Sequence, residues 1–357
     1  MKTPWELLKE SKTKIKTTWR IAFVSALVLG LLIHLPVMLS DIPNHDGLSS
    51  MYFDQNMITS GRWFLTVACG FSSYFTIPWV IGLIGLIWLA LTAAVLTEVL
   101  ELTDPVTITV VSGLLVSFPA LASTFAYVFT MDGYMLALFL AVLAVLFTAK
   151  YPRGYLAGAV CLAFSMGIYQ AYLPFTILLC VYKILLYFME EKGWKEKAKY
   201  VCHYLGMGIA GGVLYYVILQ ILLKLQGKVL DTYQGINSME QMGSSMGILA
   251  TIKEMYVDFL AFTVHGNVLV NNIFSLAACI ILVATVVFLV IRSMIWRKWW
   301  KNPAFFVIMI LLGISMPLLT NVILLISPNL TYHLLMRYQW VLYLILMTAF
   351  ADRYTAE

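Results

Sequence analysis

Apolar runs of about twenty residues recur between residues 21 and 351, and they decide what this chain can fold into. A bilayer core about 30 Å thick needs about 20 apolar residues per helix. Only helices and closed barrels satisfy every backbone N–H and C=O in hydrocarbon, and no strand-type alternation points to a barrel. Of the 357 residues, 61% are apolar and 11% charged, about half the charged fraction of a soluble domain. The chain reads as an all-α polytopic membrane protein with about ten transmembrane helices.

The spans are read at residues 21–40, 77–96, 106–122, 134–149, 155–168, 173–189, 201–223, 268–291, 304–326 and from Gln339 onward. Residues 1–20, basic and carrying Trp5 and Trp19, read as an interfacial cytoplasmic helix. Residues 21–351 then form one integral domain, and 352–357 a cytoplasmic tail. Outer loops are expected at 41–76, 123–133, 224–267 and 327–338. Two of them hold apolar residues at helical spacing: Trp63, Phe64, Val67, Ala68 and Phe71, and then Ile248, Ile252, Met255, Tyr256, Phe259 and Leu260. Both stretches predict amphipathic helices lying on the outer membrane surface.

Lysine and arginine set the orientation. With both termini inside, 18 of the 23 basic residues fall on the inner side and five outside, as the positive-inside rule requires. The acidic loop with Glu98, Glu101 and Asp104 is the one local exception. The formal charge of +5 is therefore a topology signal and not a sign of nucleic-acid binding. Five cysteines without metal-ligand or CxxC spacing suggest neither a disulfide framework nor a thiol site.

Residues 40–62 stand out as a polar stretch just outside the first span, with Asp41, His45, Asp46, Asp54 and Arg62. Asp132 sits in the next outer loop, Tyr169, Gln170 and Tyr172 in a tight outer hairpin, and Arg337 before the last span. A carboxylate at the membrane–water boundary can take a proton from a sugar hydroxyl as it attacks an anomeric carbon. A departing lipid-linked phosphate needs a cation near headgroup depth, and Arg62 and Arg337 are the outer arginines. Asp41 also suits a loop-capping role, and Asp54, Asp231, Glu240, Glu254 and Asp258 read as solvated loop residues.

Asn44, His45, Asp46 and Gly47, followed by Gly61, Arg62 and Trp63, resemble the bacterial membrane glucosyltransferase family of the O-antigen-modifying Gtr type II group. The hairpin of Tyr169, Gln170, Ala171 and Tyr172 and the late Arg337 are similar too. The resemblance extends over most of the chain. It implies a GT-C-type fold and a hexose, typically glucose, carried on a polyprenyl phosphate and moved to a cell-envelope glycan on the outer face. It implies catalysis by an acidic residue of the first outer loop, which falls on Asp46, with Asp41 second. His45, Arg62, Asp132, Tyr169, Gln170 and Arg337 are then expected to bind substrate. Some GT-C enzymes use a divalent metal ion and others none, and the sequence does not choose. A flippase and a donor synthase of the same pathway are the partners implied. Two readings compete: a lipid-linked sugar flippase or transporter, which predicts buried mid-helix charge and paired interrupted helices, and a non-catalytic assembly partner.

Overall fold

The computed structural model describes residue 3 and residues 15–40, 46, 54–70, 72–74, 77–190, 192–231, 247–296, 298, 303–327 and 330–355. Its elements are almost all helices. In chain order they are α1 (Thr17–Leu39), α2 (Leu65–Ala68), α3 (Pro78–Leu100), α4 (Pro105–Ser117), α5 (Pro119–Phe125), α6 (Met131–Lys150) and α7 (Gly154–Ile168). There follow α8 (Leu173–Met189), α9 (Trp194–Gln226), α10 (Ile248–His265), α11 (Ile273–Trp296), α12 (Pro303–Thr320), α13 (Ile323–Ile326) and α14 (Val341–Thr355). Among the described residues there is no strand beyond one isolated bridge, Met57 with Arg62.

Among the described residues, seven helices are long and apolar enough to cross a membrane: α1, α3, α6, α9, α11, and α8 and α14 each with the 3-10 turn before it. The pair α4–α5 is one more crossing bent by 50°, and α7 and residues 306–320 of α12 are shorter apolar helices. At 15 residues, α7 is about 22 Å long, less than the hydrocarbon core, as its short apolar run foretold. The chain is a polytopic membrane protein. Helix α1 begins at Thr17, inside the stretch read as a separate interfacial helix, and α14 continues to Thr355.

The core lies where α3 and α6 pack together, with α1 against α3 and α4, and α7 between α6 and α9. Leu86, Leu89, Leu138, Ala141 and Val145 are fully buried there. The bend at Phe118 follows from Pro119, which has no N–H to continue the ladder. The carbonyls released before it find new donors. His34 of α1 hydrogen-bonds Val116 O at 2.8 Å and stacks on Phe125, while the Tyr338 hydroxyl donates to Leu115 O. A polar histidine within an apolar span thus completes the backbone of a broken neighbour.

Basic residues at the far end of the bundle explain the acidic exception. Glu98 accepts hydrogen bonds from Lys16 (2.7 Å), Lys150 (2.5 Å) and Trp19 (3.0 Å). Glu101 accepts from Lys183 (2.6 Å) and Arg353 (2.8 Å). Partial burial opposes ionisation of Glu101, but the Lys183 hydrogen bond and the charges of Lys183 and Arg353 outweigh it and hold the carboxyl below its ordinary range.

The stretch 63–71, expected outside, differs from the surface helix expected of it. Its helix, α2, has only four residues, and Trp63 and Phe64 turn inward onto Phe164. Gly167 makes room: a Cβ there would lie 2.6 Å from the Trp63 ring. Of the described residues in the expected stripe, Val67 alone is clearly exposed, and Phe71 lies outside the described residues. The second amphipathic stretch does form a helix, α10. It packs through Thr251, Met255, Phe259 and Phe262, whereas Ile248 and Leu260 of the expected stripe stay exposed.

Candidate functional site

The site is built on a tight turn. Residues 57–62 close on themselves through Arg62 N–H to Met57 O (3.1 Å) and Gly61 N–H to Ile58 O (2.9 Å). Gly61 turns the chain at φ +77°, a left-handed conformation that glycine adopts without a Cβ penalty. Two side chains grip the turn. Tyr215 of α9 donates to Gly61 O at 3.0 Å, and Gln170 donates to Ser60 O (3.1 Å) and to the Tyr215 hydroxyl (3.0 Å). Beyond the end of α9, the Asp231 N–H donates to Thr59 O at 2.8 Å. The backbone that carries Arg62 is therefore fixed from two directions.

Arg62 leaves this turn into a cavity of about 250 Å³. Asp46, Gln55, Tyr127, Thr130, Tyr134, Tyr169 and His333 line it, together with Met57, Leu65, Phe129, Leu335 and Met336. The Arg62 guanidinium donates to the Tyr134 hydroxyl at 3.3 Å and lies 5.2 Å from the centre of the Tyr169 ring. Tyr134 and Tyr169 stack at 4.2 Å. Burial pushes the Tyr169 phenol well above its ordinary range, reinforced by Tyr134, so it stays a neutral hydroxyl. A fixed cation beside paired aromatic rings, with a half-buried carboxylate on the same cavity, suits a sugar carrying an anionic group. A small apolar pocket adjoins it through Arg62, Tyr169 and Met336, with Ile323, Ile326 and Leu330 on its other side.

The remaining expected residues fall into three groups. Gln170 faces the turn and the apolar pocket, and it holds Arg62 in place at second hand. Asp132 is buried and accepts from the Ser72 hydroxyl (2.7 Å) and the Gly133 N–H (2.9 Å). It ties the turn after α2 to the start of α6, and it is not among the residues lining the cavity. Burial and the nearby Asp132 charge push the Cys69 thiol well up, which leaves it inert. Arg337 is buried in a bidentate ion pair with Asp258 of α10, at 2.7 and 2.6 Å. Tyr332, Phe262 and Trp340 surround its guanidinium at 3.9, 4.7 and 5.5 Å, and it too is absent from the cavity wall. Asp258, read from sequence as solvated, is instead the partner that holds Arg337. Asp41 and His45 lie outside the described residues. Among the described residues no group of three or more His, Cys, Asp or Glu is placed to hold a metal ion.

A larger cavity of about 350 Å³ opens at the opposite end of the bundle. Its charges are paired among themselves: Glu98 with Lys150, Glu101 with Lys183 and Arg353, and Glu190 with Lys192. Tyr134 and Lys150, on α6, place the two cavities about 24 Å apart along that helix.

The family model described as glucosyl transferase GtrII matches residues 35–350. The chain belongs to that family. It is a membrane glucosyltransferase. No curated protein and no solved structure matches it. In this glucosyltransferase, sequence reasoning passed over Gln55, Tyr127, Thr130, Tyr134 and His333, all of which line the cavity. His333 carried a signal, a histidine just before the last span, on a segment expected to lie outside. Tyr134 carried none, because its position one turn into α6 looks like an ordinary interfacial tyrosine.

Proposed function

We propose that the enzyme transfers glucose from a polyprenyl phosphate to a cell-envelope glycan or lipid-linked glycan, on the outer face of the bacterial cytoplasmic membrane. Asp46 takes the proton of the acceptor hydroxyl. The oxygen bonds to the anomeric carbon as the bond from that carbon to the phosphate oxygen breaks, and the electron pair leaves with the phosphate. Arg62 neutralises the phosphate, and the sugar lies against Tyr134 and Tyr169.

What carries the reading is the convergence on one cavity of Asp46 and Arg62 with the Tyr134–Tyr169 stack. The volume of about 250 Å³ is below the range that houses drug-sized ligands. It suits a single hexose, with the acceptor glycan reaching in from outside. Asp46 is the one carboxylate among the described lining residues. A retaining double displacement uses two carboxylates about 5 Å apart, so a single inverting displacement is the simpler chemistry. The adjoining apolar pocket suits the first isoprene unit of the donor. Asp41 and His45, both just before Asp46 in sequence, serve as a second carboxylate and a substrate contact.

The ten-span reading adds the bent pair α4–α5, α7 and α12 to the seven long helices. Both termini then lie inside and the site lies outside, in agreement with the 18 to five distribution of basic residues. The resemblance to GT-C enzymes accords with this layout.

The test is transfer by purified protein in nanodiscs, with radiolabelled polyprenyl-phosphate glucose and total envelope glycolipid. Asp46→Asn is expected to lower the rate by about 10²–10⁴-fold with donor binding retained. Transfer by the variant at the wild-type rate would remove Asp46 as the base.

A further inference from the structure

The donor phosphate carries one negative charge as a diester, and a second develops as the sugar departs. Arg62 is the one permanently charged cation among the described residues lining the cavity. Arg337, the other outer arginine nearby, has its guanidinium committed to Asp258 and three aromatic rings. A different side chain of the same segment does reach the cavity: His333, exposed at its edge.

The backbone explains how His333 is held there. It immediately precedes the 3-10 segment Leu334–Trp340. Its carbonyl accepts from Met336 N–H and its N–H donates to Thr331 O, both at 3.0 Å. The following residues are anchored in succession. Arg337 pairs with Asp258, whose carboxylate also accepts from Asn321 at 3.1 Å. Tyr338 donates to Leu115 O, and Gln339 to Thr320 O at 3.0 Å. The anchored segment places His333, Leu335 and Met336 together on the cavity wall, Leu335 and Met336 buried and His333 at the exposed edge.

We infer that His333 is the second phosphate-contacting residue of this glucosyltransferase, and that the Arg337–Asp258 pair positions it. The inference rests on the donor reading above. During transfer the His333 imidazole donates a hydrogen bond to a phosphate oxygen as charge builds on it. The acceptor proton still goes to Asp46, so the step balances without a further reactant. Because the leaving phosphate monoester carries more charge than the diester donor, His333 favours the later species.

The experiment uses the full chain in nanodiscs and three readouts: kcat, donor KM, and inhibition by a short-chain prenyl monophosphate. His333→Gln keeps the approximate size but replaces the fixed ring N–H with an amide on a flexible side chain, away from the position the imidazole holds. It is expected to lower kcat and weaken monophosphate inhibition, each about ten-fold or more, with donor KM changed less than about three-fold. Arg337→Lys, which keeps charge but loses the bidentate fork, is expected to weaken the same inhibition, and the double variant to be no worse than His333→Gln alone. Thermal midpoints identify any variant that fails to fold, and His333→Asn serves as the second substitution at that position. Wild-type kcat and inhibition in folded His333→Gln or His333→Asn would overturn the assignment while leaving Asp46 and the donor reading intact. Additive losses in the double variant would overturn the positioning role of Arg337. A wild-type protein that neither transfers glucose nor responds to the monophosphate would instead overturn the donor reading on which both rest.

Discussion

Gly61→Ala tests the turn that fixes Arg62. At φ +77° an alanine costs about 1–2 kcal/mol in left-handed strain. Its Cβ would also lie 2.5 Å from the Tyr215 hydroxyl and 2.6 Å from the Gln170 amide nitrogen, closer than any real contact. Relief requires both side chains to withdraw, and three hydrogen bonds depend on them. At about 0.5–1.5 kcal/mol each, their loss brings the total to about 3–6 kcal/mol. Partial relaxation leaves the strain alone. The functional loss is expected to exceed the loss of stability, because Arg62 follows Gly61 directly and a displacement of about 1 Å can cost about 10²-fold in rate. Detergent-solubilised protein is followed by thermal unfolding and by transfer kinetics, for Gly61→Ala, Tyr215→Phe and the pair. Tyr215→Phe removes the atom nearest the new Cβ, so the pair is expected to be less damaged than the single effects sum to. A wild-type midpoint and rate for Gly61→Ala, or strict additivity with Tyr215→Phe, would refute the account of the turn.

Arg337→Met is expected to destabilise the protein by about 3–5 kcal/mol, because it leaves the Asp258 carboxylate partly buried without its guanidinium. Adding Asp258→Asn is expected to recover part of that loss in the unfolding midpoint. The lowered pKa of Glu101 gives a signed pH dependence: its contribution is complete above the ordinary carboxyl value of 4.5 and is lost as pH falls through the folded value. Melting curves from pH 6 down to about pH 3 should therefore fall less steeply in Glu101→Gln than in wild type, and parallel curves would assign the acid sensitivity elsewhere.

Hydropathy made the helical architecture legible because the bilayer imposes a length and a composition on each span. The breaks were legible only in part. Pro119 announces an interruption, yet nothing local shows that His34, 82 residues before Val116, and Tyr338, 223 residues after Leu115, supply the missing donors. The stretch from Trp63 failed as a surface helix for a similar reason. Its apolar residues have helical spacing, but the slot that draws Trp63 inward is the bare backbone of Gly167, and periodicity carries no information about a neighbour a hundred residues away.

The same limit explains why Arg337, and not His333, stood out in the sequence. Read along the chain, a permanently charged guanidinium is the better phosphate ligand, and the histidine four residues earlier looks incidental. Which of the two reaches the cavity depends on Asp258, 79 residues before Arg337, on a helix whose stripe suggested only membrane contact. A carboxylate that captures the arginine converts it from a ligand into a fastening, and the fastening holds the wall on which the histidine stands. Sequence patterns mark which residues are able to bind a phosphate; the pairing of distant charges decides which of them remain available to do so.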